Sequence, residues 1–313
     1  NKYSSPKVNL DNLYRNEISN YTASIANIAW EDFFADTLLQ SLIREGLANN
    51  HDMLIATERI KQAESANKMA RAAYFPTIAI SGQFEQLRLN SDPSTGKKRD
   101  NFMNYHNETY SLGIISSWEL DIWGKLKSQS KAKYAEMLNS YVGRNLIQTS
   151  LISNIASLYY SLLSLDEQLA ITDEIIISMR SNLRTMEYMR ESGLVNSAAV
   201  EQTRAALYRT ITTLPDLKSM ILQLENSICL LIGRKPDIIE RTTLEFQTIP
   251  EQLSIGIPLQ RIAKRPDVQK AELDFRIACE LTNVAKANFY PTLTLKSATL
   301  GYSTTNTISD VFK

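Results

Sequence analysis

The side chains in this chain best suited to bond-making chemistry are two histidines, His51 and His106, and two cysteines, Cys229 and Cys279. Near neutral pH a histidine serves as base or metal ligand, and a cysteine as nucleophile or thiolate ligand. Neither pair has the spacing such work requires. The histidines stand far apart with no partner motif, and the cysteines lie in separate helical stretches with neither a zinc spacing nor a disulfide framework. The cysteines are expected to be small buried apolar residues. Serine is frequent, but no nucleophile-elbow glycine pattern surrounds any of them. The residues therefore point to no catalytic group, no cofactor and no metal.

Polar side chains recur instead at every second position, a spacing that builds walls rather than active sites. In "TIAISGQFE", Thr77, Ala79, Ser81, Gln83 and Glu85 fall on one face, and Ile78, Ile80, Gly82 and Phe84 on the other. In "YSLGIISSWELDIW", Ser111, Gly113, Ser117, Glu119 and Asp121 alternate with Tyr110, Leu112, Ile114, Trp118, Leu120 and Ile122. Between the two runs lies a hydrophilic loop rich in turn formers, with Lys97, Lys98 and Arg99 near its middle. The pattern predicts a hairpin whose strands are long enough to cross a bilayer when tilted. Its polar face would line water, and its apolar face would meet lipid. Trp118 and Trp123 suit either an interfacial anchor or packing at the strand–helix junction.

The elements holding this hairpin are helices. From Trp30 the apolar residues fall at helical spacing until Asn49–Asn50, and a second helix is predicted from about Asp52 to Tyr74. In it Ala56, Ala63 and Ala70 form a heptad of small residues that admits a close neighbour. Pro76 ends this helix and begins the strand, a hinge between two solvents. From Lys125 to about Glu191 there is no proline and a single glycine, Gly143. A helix of that length extends about 100 Å and must lie in a coiled-coil-like array. Gly193 is the expected C′ residue, with Asn196 or Ser197 as the next N-cap. A returning helix is predicted from about Ala198 to Ile232, kinked by Pro215 and closed by Gly233.

Composition narrows the class. The 313 residues are 43% hydrophobic and 22% charged, with 34 cations against 34 anions, which gives no electrostatic case for nucleic acid or for an anionic membrane surface. Glycine (10) and proline (9) are scarce, as long uninterrupted elements require. No apolar run reaches transmembrane-helix length, which leaves a β-barrel open. The chain starts at Asn1 without methionine, so loss of a leader is expected.

A repeat underlies the whole. Shifted by 215 residues, Ala48 falls on Ala263, Asp52 on Asp267, Ala63 on Ala278, Ala70 on Ala285, Pro76 on Pro291, and Ile78 and Ile80 on Leu293 and Leu295. The unit is a helix, a hairpin and a pair of long helices. The second copy ends at Lys313 in its first strand or the loop after it, so the chain is expected to be part of a longer polypeptide. The expected domains are an extended N-terminal arm at 1–29, a helical barrel at 30–75 and 124–232, and a hairpin at 76–123. A connector follows at 233–257, then the second-copy helix at 258–290 and its first strand at 291–313. Four strands from a complete chain cannot close a barrel, and an open edge is untenable in lipid, so several chains must combine.

The segments "SWELDIWGKLKSQSKAKYAEM", "RPDVQKAEL" and "AKANFYPTLTL" resemble the outer-membrane factor family of TolC/OprM-like channels, and most nearly its lipoprotein branch in RND-type multidrug efflux. The resemblance runs from about Trp30 to the end of the chain. It implies an α+β membrane protein: a homotrimer with a twelve-stranded outer-membrane barrel, four strands per full protomer, continued by a long α-helical barrel across the Gram-negative periplasm. It implies docking with a periplasmic adaptor and an inner-membrane pump, and a passive, gated duct for drugs or other small molecules. Protein secretion and metal-ion efflux remain alternatives within the family, and a soluble coiled-coil scaffold outside it. By position, Gly193, Leu194, Val195, Asn196 and Ser197 match the adaptor-contact tip. A lipid anchor would sit on a cysteine preceding Asn1. Thr77, Ser81, Gln83, Glu85, Ser111, Ser117, Glu119 and Asp121 are then the lumen-facing set. Ile78, Ile80, Phe84, Leu112, Ile114, Trp118, Leu293 and Leu295 are the lipid-facing set, and Pro76 and Pro291 the helix–strand hinges. The family's gating residues belong mainly to the second pair of long helices, beyond this sequence.

Overall fold

A computed structural model of the chain describes Ser4 and residues 29–89, 105–247, 265–296 and 300–305. The expected N-terminal arm (apart from Ser4 and Ala29), the hairpin loop with Lys97, Lys98 and Arg99, the connector beyond 247 and the last residues of the chain lie outside that set.

The helix expected to run unbroken from Trp30 is divided. Helix α1 (Trp30–Phe33) stops, and α2 (Thr37–Asn49) begins after Asp36, whose backbone is extended at ψ 114°. Asp36 Oδ1 accepts from the amides of Leu38 at 2.8 Å and Leu39 at 3.4 Å, the work of an N-cap. Asn50 performs the same task for α3 (His51–Ala72), accepting from Met53 N at 3.1 Å. In α3, Met53, Ala56, Ile60 and Asn67 are buried, and Ala63 and Ala70 half-buried, along one seam of alternating three- and four-residue steps.

Helix α4 (Lys125–Glu191) is continuous over 67 residues. The returning segment is two helices, α5 (Ser197–Ile211) and α6 (Thr213–Ile232). The break falls at Thr212, just ahead of the proline expected to cause it. Pro215 has no N–H for the Ile211 carbonyl, and its ring crowds that turn. The hydroxyls of Thr212 and Thr213 donate instead to the carbonyls of Arg209 at 2.8 Å and Thr210 at 2.7 Å. Helix α7 (Pro266–Ala287) carries the second copy.

Two compact units divide the described residues. In the one holding Asn139–Glu272, α2 packs against α6, and side chains of both share one core with those from the middle of α4. Leu39, Ile43, Ile155, Tyr159, Leu162, Leu163, Ile228 and Ile232 are fully buried there. Each such aliphatic side chain contributes about 1.5–3 kcal/mol by leaving water. Close approach depends on two glycines. A Cβ on Gly46 would stand 2.6 Å from Ile155 Cδ1, and one on Gly233 would stand 2.9 Å from Asn49 O. Gly233 also needs its φ of +72° to end α6.

Polar groups finish this unit. Asp36 Oδ2 accepts from Thr242 Oγ1 at 2.6 Å, Tyr159 Oη at 2.7 Å and Gln247 Nε2 at 2.9 Å. Burial pushes that carboxyl upward, but hydrogen bonds from Thr242, Tyr159, Gln247 and the Leu38 amide together hold it below the usual aspartate value. The Arg241 guanidinium grips Asp166 through Nε and Nη2, and the buried Glu225 through Nη1 at 2.5 Å.

The other unit holds Gln62–Leu138 and the chain from Leu273 onward. Its sheet comprises β1 (Thr77–Leu89), β2 (Tyr105–Leu120), β3 (Leu293–Lys296) and β4 (Leu300–Thr305). Strand β2 is central, antiparallel to β1 on one side and to β3 and β4 on the other.

Candidate functional site

The ribbon and its junctions hold most of the residues singled out from the sequence. Pairing of β1 with β2 runs in one register from Thr77↔Ser117 to Leu89↔Tyr105. Opposed residues of an antiparallel pair point to the same side. One face therefore carries Ile78, Ile80, Gly82 and Phe84 opposite Ser116, Ile114, Leu112 and Tyr110, with Ser116 its polar departure and Trp118 next in the same phase of β2. Its aromatic pair Phe84–Tyr110 lies 4.9 Å apart. Ile78 and Ile80 are 73% and 78% exposed, large values for aliphatic side chains.

The opposite face carries Thr77, Ser81, Gln83 and Glu85 with Ser117, Gly113, Ser111 and Thr109. Thr77 Oγ1 donates to Ser117 O at 3.0 Å, and Ser81 Oγ to Gly113 O at 3.3 Å. Ile115, opposite Ala79, is the apolar departure on this face. Glu119 lies on it too, engaged at 2.8 Å by Lys125 Nζ. Asp121 lies one residue past the end of β2. Its Oδ1 accepts from Leu126 N at 3.0 Å and its Oδ2 from Lys127 N at 2.9 Å. It caps α4 rather than standing in the strand.

On the far side of β2, Leu293 opposes Leu120 and Leu295 opposes Trp118. Beyond them the register slips. Leu300 opposes Ile114 and Tyr302 opposes Leu112, so paired residue numbers sum to 413 in β3 and 414 in β4. One extra residue on this side changes the phase of the alternation, as a β-bulge does. Odd-numbered positions of β3 and even-numbered positions of β4 thereby pair with the same row of β2. Sequence parity alone gave no sign of the slip.

Each helix–strand junction is closed the same way. After α3, Tyr74 N donates to Arg71 O at 3.2 Å and Phe75 N to Ala72 O at 3.0 Å; Pro76 follows. After α7, Phe289 N donates to Lys286 O at 3.3 Å and Tyr290 N to Ala287 O at 3.1 Å, ahead of Pro291. The tryptophans fasten both joints. Trp118 Nε1 donates to Tyr74 O at 2.9 Å, and Trp123 Nε1 donates to Pro291 O at 2.9 Å. The Trp123 ring stacks on Tyr290 at 4.7 Å. Gly124, at φ +73°, supplies the turn into α4.

The α4–α5 turn lies in the other unit. Gly193, at φ +75°, ends α4 in a Schellman motif, Gly193 N donating to Arg190 O and Leu194 N to Met189 O, both at 2.9 Å. Asn196, rather than Ser197, is the N-cap of α5, accepting from Ala199 N at 3.0 Å. Leu194 is exposed, Val195 half-buried, and Arg204 joins α5 to Glu187 of α4 at 2.9 Å. His51 opens α3 and His106 lies in β2. Among the described residues, no helix is long and apolar enough to cross a membrane.

Residues 42–234 match the family model described as outer membrane efflux protein. The chain belongs to that family. Membership places it among outer-membrane efflux proteins rather than enzymes. It is 26% identical over 287 residues to the cation efflux system protein CusC of Escherichia coli O6:H1, covering 91% of this chain and 60% of that one. It is 27% identical over 294 residues to the probable outer membrane lipoprotein SilC of Salmonella typhimurium, covering 93% and 61%. With the probable efflux pump outer membrane protein TtgC of Pseudomonas putida the identity is 25% over 272 residues, covering 86% and 55%. The chain thus spans about three fifths of the length of the curated relatives it matches. A crystal structure of CusC superposes with a TM-score of 0.76 at 24% identity, covering 100% of this chain and 68% of that one. The fold is that of these channels, barrel strands and long barrel helices, with the second copy of the repeat present in part.

Proposed function

We propose that three copies of the intact protein close a twelve-stranded barrel in the outer membrane, continued by a helical tunnel across the periplasm. The assembly is a passive, gated duct through which drugs or other small molecules leave the cell. The observation that carries this reading is the ribbon, with an exposed apolar face, a polar reverse face, and edges at β1 and at β3–β4. In lipid each open backbone group costs several kcal/mol, so such edges persist only when neighbouring copies pair with them. Strand length agrees. The 13 residues of β1 extend about 43 Å and, tilted by about 45°, cross the ~30 Å hydrocarbon layer.

The polar row Thr77, Ser81, Gln83, Glu85, Ser111, Ser117 and Glu119 then faces the lumen, and the Ile78–Trp118 row, with Leu293 and Leu295, faces lipid. Pro76 and Pro291 mark the change of solvent. The turn Gly193–Ser197 is the docking tip for a periplasmic adaptor that links the duct to an inner-membrane RND-type pump. Energy for export comes from that pump. Likeness to CusC, a cation efflux protein by name, favours a second reading in which the cargo is metal ions.

The test is planar-bilayer conductance of the detergent-purified intact protein, with gel mobility before and after heating. Stepwise conductance from a heat-dissociable trimer is expected; a buffer-soluble, non-conducting monomer would overturn the duct. Growth of a channel-deleted strain on drugs and on metal salts separates the two cargo classes.

A further inference from the structure

The whole chain balances 34 cations against 34 anions, but its junctions do not. Residues 69–80, 117–130 and 283–296 hold five cations, Arg71, Lys125, Lys127, Lys286 and Lys296, and two carboxylates, Glu119 and Asp121, a net of +3 (5 − 2). Both carboxylates are occupied, Glu119 by Lys125 and Asp121 by the α4 amides. Arg71, Lys127 and Lys286 are exposed and make no ion pair among the described residues.

Two of these cations are one position written twice. Arg71 shifted by 215 is Lys286, each in the last turn of its helix, followed by an aromatic pair and a proline. The carbonyls of both accept the first hydrogen bond of the tightened turn, from Tyr74 and from Phe289. The aromatics are displayed: Phe75 is 72% exposed and Phe289 89%. Lys127 stands in the first turn of α4, four residues after Trp123, which is stacked on Tyr290. A cation there opposes the helix dipole, so α4 itself gains nothing from it.

We propose that Arg71, Lys127 and Lys286, with Phe75, Phe289 and Tyr290, form a collar that binds anionic phospholipid headgroups in the leaflet nearest the helices. The inference rests on the reading of the ribbon as membrane-spanning. Dimensions fit it. A headgroup layer is about 5–7 Å thick, half the difference between the whole bilayer and its hydrocarbon core. Arg71 and Lys286 each lie five residues before a proline, about 7 Å at 1.5 Å per residue. Aromatics at the boundary with cations just beyond it match the layering of a bilayer interface. Three cations on each copy complement phosphodiester charge, and each is worth about fivefold in affinity for an anionic surface.

The test reconstitutes the intact protein in nanodiscs of phosphatidylcholine alone or mixed with phosphatidylglycerol, and measures phosphatidylglycerol retention by native mass spectrometry. Wild type is expected to retain phosphatidylglycerol in preference to phosphatidylcholine. The variant Arg71→Gln/Lys127→Gln/Lys286→Gln is expected to lose about a hundredfold of that preference, while Arg180→Gln/Arg184→Gln keeps it. Should the triple variant insert and retain the anionic lipid as wild type does, the collar is refuted and the duct stands. Failure of every variant and wild type to enter either bilayer would sink the membrane reading, and the collar with it.

Discussion

At Asp36 one carboxylate accepts from two amides and three side chains, tying the start of α2 to Tyr159, Thr242 and Gln247. Asp36→Ala should cost about 2–4 kcal/mol in denaturant unfolding, combining a lost cap with a lost charged hydrogen-bond acceptor. The folded pKa lies below the unfolded one, so this stabilisation is complete above the unfolded value and fades as pH falls through the folded value. Acid titration of stability should therefore be shallower for Asp36→Asn than for wild type below about pH 4. Glycines at contact points behave differently from one another. Gly233→Ala forces both a left-handed φ and a backbone clash with Asn49 O, whereas Gly46→Ala meets only the end of Ile155. Thermal unfolding should rank Gly233→Ala as the more damaging. The sequence announced Gly193 and narrowed the next cap to Asn196 or Ser197 because their partners are local. It concealed the Asp36 cluster because those partners lie 123, 206 and 211 residues away.

Elements were legible where composition alone decides them. A 67-residue helix follows from the lack of proline, and alternation over Thr77–Glu85 leaves a strand as its natural state. What was not legible is where packing or pairing arbitrates. The break between α1 and α2 needed the Asp36 cap, and the phase slip between β3 and β4 needed the β2 register. The junction contacts of Trp118 and Trp123 were not legible either: their indole N–H groups are both given to backbone carbonyls of the joints. Trp123→Phe keeps a ring on Tyr290 but loses the bond to Pro291 O. It should lower unfolding stability in detergent by about 1 kcal/mol, and Trp118→Phe by a similar amount. The double variant should sum the two unless the joints are coupled.

For the whole molecule, the two faces of the ribbon make opposite demands. On the proposed assignment of faces, Ile80→Arg or Ile114→Arg sets a charge against hydrocarbon and should reduce membrane insertion by about 2–4 kcal/mol near the midplane. Gln83→Arg, on the reverse face, should insert normally and move the conductance toward anion preference. Equal behaviour of the two classes in a urea-titrated insertion assay would contradict the assignment of faces. The slip between β3 and β4 belongs to this scale as well. In a closed cylinder the stagger of every strand adds to one shear number, which fixes tilt and radius together. Strand β1 carries no such slip against β2, whereas β3 and β4 differ by one residue in register, so the two halves of the duplication are no longer interchangeable parts. Transplanting the first segment into the second place would subtract one step of stagger from each copy, and a ring of three would have to close at a different girth.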